Sequence, residues 1–332
     1  MSYRYAYYIL FAHLACSQSA ETPVPQESTY SIGITGDAAD VTVATTAGYV
    51  LMGGSTDVDD AIQWMIGKAS GGDFLILRAS GSTGYNDYVY GLGNLNSVET
   101  LLIDSREKAL SKKVGERIRQ AEAVFIAGGD QYRYISYWND SEVSSALHYL
   151  IHEKGVPIGG TSAGCAILSD YVFDAANGSV TSAEALQNPY NPLVSVTQGF
   201  IKIPELVNII ADQHFSQRTR EGRLVTFMAR ITKDKGIPLR GIGVDEQTAL
   251  CISADGSSVV FGNNTVYFLY PKETPEQCEP NNVLHWKKDD QAVSVFAFTG
   301  SVSGTPALNV KLLSPSDPHT YWHVEEGVLV KH

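Results

Sequence analysis

Short apolar runs alternate with amphipathic stretches along most of this 332-residue chain. From near Tyr30 onward, apolar runs fall at residues 49–52, 74–77, 100–103, 124–127 and 156–158, each followed by a glycine-rich or polar turn. Helical spacing of apolar positions appears at 57–68, 107–120 and 144–154. This alternation predicts an α/β protein with a mainly parallel sheet and helices on both faces, a three-layer arrangement. In such sheets ligands bind beyond the carboxyl ends of the strands, so the loops after these runs are where chemistry is expected. After about Gly241 the pattern becomes strand-like, at 249–252, 258–261 and 266–269, with turn pairs Asp255-Gly256 and Asn263-Asn264. Hairpins at the sheet edge are predicted there. From Val283 the tail holds further apolar runs, at 293–298 and 308–313, without helical period. The expected division is a leader and linker over 1–28, an α/β domain over 29–272, and a β-rich C-terminal extension over 273–332 packed on it. There is no internal repeat and no low-complexity tract.

Composition narrows the class. Hydrophobic residues at 44% and charged residues at 18% support a packed core and argue against a disordered chain. With a net charge of -12 and no long run of Lys or Arg, the chain has no footprint for nucleic acid. The N-terminus places Arg4 before an apolar stretch at 6–15, then Cys16, Ser17, Ser19 and Ala20, the order of a secretory signal. That stretch is shorter than the roughly 20 apolar residues that span a bilayer. Residues 19–28 read as a linker, and an extracellular or periplasmic location is expected. Cys16 after Leu14 and Ala15 has the outline of a bacterial lipoprotein signal, with His13 where an aliphatic residue belongs. That order fits both a lipid anchor at Cys16 and simple removal of the leader.

The most informative segment is 156–168, where Gly160, Ser162 and Gly164 spell G-x-S-x-G after a predicted strand and before a predicted helix. Flanking glycines permit the tight turn that lifts a serine hydroxyl toward substrate, and the amide of Ala163 would face a developing oxyanion. A serine nucleophile needs a base and a group that orients the base. Of eight histidines, His148 and His152 sit four apart with Tyr149 where a zinc protease carries glutamate, so they read as helix-surface residues. His214 differs, standing between an apolar run at 207–211 and Arg218, Arg220 and Arg223, which suggests a strand that delivers it to a site. Two more strand ends are candidates. Residues 124–131 end in Gly128-Gly129-Asp130-Gln131, whose amides could point at a ligand. Residues 241–250 carry Asp245 and Glu246, either of which could orient His214, or both of which could be turn residues. With Cys16 removed or lipidated and Cys165 buried beside Ser162, Cys251 and Cys278 remain as a disulfide or as free thiols.

These four segments, in this order, resemble the cyanophycinase family of serine peptidases. The resemblance runs from about residue 49 to 269, and its most specific part is D-Q-H-F-x-x-R-x-R-x-x-R at 212–223. It implies the class I glutamine amidotransferase-like, or flavodoxin-like, variant of the α/β fold, and makes 29–272 a catalytic domain. Carried over, Ser162 is the nucleophile and His214 the base, with Glu246 as third member and Asp245 in reserve. Gly129 and Asp130 join Ala163 as oxyanion donors, and Gln131, Asp212, Gln213, Arg218, Arg220 and Arg223 form the substrate pocket. The family substrate is cyanophycin, a polyaspartate with arginine amide-linked to each side chain, cleaved to β-aspartyl-arginine through an acyl-enzyme. A pocket with charges of both signs suits such a unit, since arginine forks hold carboxylates and acids hold a guanidinium. The resemblance calls for no metal or organic cofactor, and relatives are often homodimers. Departures are Cys165 where many relatives have alanine, the leader, and the extension after about Lys272. Two other readings stand beside it: an aspartyl or isoaspartyl dipeptidase acting on short peptides, and an inactive secreted binding module on the same scaffold. An α/β-hydrolase is excluded by chain order, because the acid would precede the histidine.

Overall fold

The computed structural model describes residues 1–3 and 29–332. The expected leader, with Cys16, and the linker lie outside the described residues. Five parallel strands, in spatial order Ser97–Leu102, Asp73–Arg78, Ala123–Ile126, Pro157–Thr161 and Gly48–Met52, form the centre of a nine-stranded sheet. Ser31–Gly36 closes one edge antiparallel, while Thr248–Ser253, Ser258–Gly262 and Thr305–Pro306 extend the other. A second sheet has eight strands, in the order Val328–Lys331, Thr320–Glu325, Val293–Thr299, Thr265–Pro271, Arg240–Val244, Ile209–Gln213, Tyr171–Phe173 and Val196–Gln198. Its strands are antiparallel except where Ile209–Gln213 pairs with Arg240–Val244 and with Tyr171–Phe173.

Side chains that alternate along a strand leave its two faces in different cores. Tyr49, Leu51, Leu75, Leu77, Val124 and Ile126 enter a central core, whereas Val50, Met52, Phe74, Ile76, Ala123 and Phe125 enter a second one. The second core is closed by the helices Asp59–Ala69 and Gly84–Gly91. Inner residues of the second sheet, such as Ala211, Ile242, Val244 and Phe268, complete the central core. Its outer residues, including Ile210, Leu269, Val293 and Val295, pack on the helix Glu221–Lys235 in a third core. Helices also enter the central core, with Val114 and Ile118 from Lys112–Gln120, Tyr134 and Trp138 from Gln131–Trp138, Val143 and Leu147 from Glu142–Tyr149 and Ile167 from Ala163–Ile167, so the first sheet has helices on both faces, as the alternation predicts.

Local signals explain several boundaries. Ser141 and Ser144 form a reciprocal capping box that starts the helix Glu142–Tyr149 two residues before the apolar spacing begins. The stretch expected as one helix over 107–120 is two, Arg106–Ala109 and Lys112–Gln120. The hairpin across Asp255-Gly256 forms, with Ala249 opposite Phe261. The one expected across Asn263-Asn264 does not. There the chain leaves the first sheet for the second, and the crossing is held by Asn264, which donates to the Glu246 carbonyl, and by Thr265, whose N–H donates to Asp245. Cys165, Cys251 and Cys278 are buried thiols in three separate clusters, so the disulfide considered between Cys251 and Cys278 is not formed.

The C-terminal strands join both sheets, and Arg240 fastens the segment between them. This buried guanidinium donates to the carbonyls of Val310 at 2.5 Å, Leu312 at 3.1 Å and Val207 at 2.7 Å. Replacement by Met removes the charge-assisted bonds and strands buried carbonyls. Arg240→Met is expected to lower unfolding free energy by about 3 kcal/mol in urea denaturation with an unchanged m-value.

Candidate active site

The strand Pro157–Thr161 ends at Ser162, whose φ of 52° and ψ of -116° lie in a region unfavourable to a residue with a side chain. The turn is held by close backbone approach on either side. A Cβ on Gly160 would stand 2.6 Å from the Gly164 carbonyl carbon, and one on Gly164 would stand 2.1 Å from the Ile126 oxygen. Both glycines are therefore required by packing around the serine. Ser162 then opens the short helix Ala163–Ile167.

His214 reaches the same point from the second sheet. The strand Ile209–Gln213 ends immediately before it, and the neighbouring parallel strand Arg240–Val244 ends before Asp245 and Glu246. Ser162 Oγ donates to His214 Nε2 at 2.9 Å, and His214 Nδ1 donates to Glu246 Oε1 at 2.7 Å. Burial pushes the imidazole pKa below its ordinary value, outweighing the carboxylate that raises it. The ring is consequently neutral near pH 7 and able to accept the serine proton. Arg218 Nε lies 3.7 Å from the same Glu246 oxygen, and the Gln217 side chain accepts the Glu246 N–H at 2.9 Å.

The adjacent carboxylate does different work. Asp245 is 3% exposed, and its oxygens accept N–H groups of Ser216 at 2.8 Å and Thr265 at 3.3 Å. It ties the loop after His214 to the second sheet and makes no contact with the imidazole. Among the oxyanion candidates, Ala163 directly follows the serine at the helix N-terminus. The Gly128-Gly129 turn flanks it, since a Cβ on Gly128 would lie 3.4 Å from Ser162 Cβ. Tyr134 pins that turn by donating to the carbonyls of Ala127 and Gly128. The Asp130 side chain caps the helix Gln131–Trp138, leaving its backbone amide at the turn.

The expected pocket residues divide. Arg218 is exposed at the rim, and Gln131 is half-buried. Arg220 donates to the Gln213 carbonyl at 2.6 Å, and burial brings its pKa down to about 10. Gln213 is buried at the end of its strand. Asp212 and Arg223 are paired with each other. They form a forked ion pair at 2.7 and 2.6 Å, with exposures of 1% and 2%, and the guanidinium also lies over the Phe173 ring. The pair ties the strand that precedes His214 to the helix Glu221–Lys235, and Arg223 also donates to the Val180 carbonyl. His148 Nε2 donates to the Phe200 carbonyl at 2.7 Å, and the residue borders a surface cavity of about 570 Å³ that shares no lining residue with the serine site. No metal-holding cluster occurs among the described residues.

Sequence reasoning passed over Gln217 and the pair Gly53-Gly54. The last was detectable by the same signal that singled out Gly128-Gly129, two glycines directly after a predicted strand.

A serine bonded to a histidine that is bonded to a carboxylate, at the carboxyl ends of parallel strands in an α/β scaffold, defines the class: a serine-type hydrolase architecture. The chain belongs to Peptidase family S51, whose family model matches residues 49–260. It is 33% identical over 185 residues to the cyanophycinase of Trichormus variabilis, covering 55% of this chain and 57% of that one. To the cyanophycinase of Synechococcus elongatus it is 28% identical over 189 residues, 57% of this chain and 54% of that one. The chain thus spans a little over half the length of the curated relatives it matches. Among solved structures it is similar to a peptidase from an acI-B1 Actinobacterium, with TM-score 0.49 and 18% identity over 68% of this chain and 91% of that one.

The two neighbouring carboxylates separate cleanly by experiment. Glu246→Gln is expected to lower kcat by roughly 10³- to 10⁴-fold with little change in melting temperature, as loss of the group that orients the histidine does elsewhere. Asp245→Asn is expected to destabilise by about 1–3 kcal/mol while the folded fraction keeps most activity. Thermal melts beside steady-state kinetics check both, and the reverse pattern would exchange the two assignments.

Proposed function

We propose that this protein is a secreted serine exopeptidase that hydrolyses cyanophycin to β-aspartyl-arginine dipeptides. The observation that carries the proposal is the hydrogen-bonded series Ser162, His214, Glu246 at a strained elbow in a member of Peptidase family S51. In this reading Ser162 Oγ attacks a backbone carbonyl of the polyaspartate as its proton passes to His214 Nε2. Glu246 keeps Nδ1 protonated and stabilises the imidazolium. The oxyanion is received by amides at Ala163, Gly129 and Asp130. The amine leaves with the proton from His214, and water, deprotonated by the same nitrogen, releases the acyl group.

Support for a charged substrate comes from Arg218, which is exposed beside Glu246, where its guanidinium can meet a substrate carboxylate. The same feature suits short aspartyl or isoaspartyl peptides, which stand as the second reading. Export of the protein is part of the proposal and rests on the basic, apolar and small-residue order over 4–20. No helix among the described residues is long and apolar enough to cross a membrane.

The test is clearing of an insoluble cyanophycin suspension by purified protein beside Ser162→Ala, with mass analysis of the soluble products. Clearing to β-aspartyl-arginine by the wild type alone is the expected result. A folded wild type that leaves the polymer intact but cleaves short aspartyl or isoaspartyl peptides would overturn the polymer assignment and establish the second reading.

A further inference from the structure

Ser162 belongs to one sheet, while His214 and Glu246 belong to the other, so something must set the register between them. Three successive carbonyls at the end of the strand Gly48–Met52 each accept an N–H from a different catalytic loop. Met52 O accepts the Ser162 N–H at 3.1 Å, Gly53 O accepts the His214 N–H at 2.9 Å, and Gly54 O accepts the Gln247 N–H, next to Glu246, at 3.0 Å. The Gly53 N–H in turn donates to Thr248 O at 2.9 Å, closing the set on the strand after Glu246.

Neither glycine can be replaced without moving these loops. Gly54 has a φ of +98°, and a Cβ there would lie 2.5 Å from His214 Cε1, 2.6 Å from Nε2 and 3.1 Å from Ser162 Cβ. A Cβ on Gly53 would lie 1.9 Å from the Asp245 carbonyl oxygen. The imidazole edge therefore rests directly on the bare Cα of Gly54.

We infer that the Met52-Gly53-Gly54 turn is the positioning device of the triad, and that Gly54 acts through His214 by leaving room for its ring beside Ser162. Its backbone joins three loops from two sheets at one place, and the absent side chain fixes how closely the imidazole approaches the hydroxyl. The inference rests on the serine-histidine reading of the site, and its test is chosen so that the two can fail separately.

The experiment measures the rate at which a fluorophosphonate labels Ser162, mapped by peptide mass, which needs no polymer substrate. Wild type is compared with Gly54→Ala, His214→Ala, the double variant, and Gly67→Ala, a helical glycine with open space around its Cα. Gly54→Ala is expected to slow labelling on the order of 100-fold, the scale of a displaced reacting group. Gly67→Ala should match wild type. In the His214→Ala background, Gly54→Ala should change the rate by less than about threefold, because the ring it positions is gone. Labelling of Gly54→Ala at the wild-type rate, or losses that simply multiply in the double variant, would overturn the inference. A folded wild type that is not labelled at Ser162 would instead overturn the triad reading beneath it. Should Gly54→Ala not fold, hydrogen exchange on the wild type decides: the amides of Ser162, His214 and Gln247 are expected to be protected and to open together. Exchange of the His214 amide at the rate of an open loop contradicts the inference.

Discussion

The 2.9 Å hydrogen bond between Ser162 and His214 spans two sheets, so it exists only while those sheets keep their relative position. Much of the molecule serves that constraint. The central core gathers inner residues of both sheets, with Leu51 and Ile158 from one and Ala211, Ile242 and Val244 from the other, around the helix Ala163–Ile167 that follows Ser162. Close packing of this kind deforms little, which suits a site whose reacting groups tolerate displacements well below 1 Å. The turn at Met52 to Gly54 then links the loops directly by main-chain bonds, which no side-chain rotation can loosen.

Charged residues near the site fall into two groups with different physical tasks. Asp212 with Arg223, and Asp245 with two backbone N–H groups, are buried and fully engaged, so their charges set the positions of loops and helices. Glu246 and Arg218 stand nearer the surface, where a carboxylate can stabilise an imidazolium and a guanidinium can meet a substrate group. Removing one partner of a buried pair leaves an uncompensated charge, so changes at Asp212 or Arg223 are expected to lower stability whatever else they do. Loss of activity after such a change is therefore weak evidence that either residue touches substrate.

The parallel strands and the serine turn are legible in the sequence because their signals are local. Continuous apolar runs mark buried strands, and glycines at 160 and 164 mark a backbone that must approach other backbone closely. The second sheet is less legible. The apolar run at 207–211 suggests a strand before His214, and another ends at the Asp245-Glu246 pair, but nothing local shows that the strands Ile209–Gln213 and Arg240–Val244 pair with each other away from the nine-stranded sheet. The same limit applies to the Asp245-Glu246 pair, since adjacent residues leave a strand on opposite sides and only the tertiary arrangement decides which carboxylate meets the histidine. Pairing of Asp212 with Arg223, eleven positions apart, and contact between Gly54 and the His214 ring are likewise products of tertiary packing.

Covalent catalysis by Ser162 is the central claim, and trapping the acyl-enzyme tests it most directly. Purified protein would be mixed with a β-aspartyl-arginine oligomer, quenched in acid within its first turnover, and digested for peptide mass mapping. An acyl adduct on the peptide carrying Ser162, absent from Ser162→Ala, is the predicted result. A folded Ser162→Ala protein that forms product at the wild-type rate would contradict it.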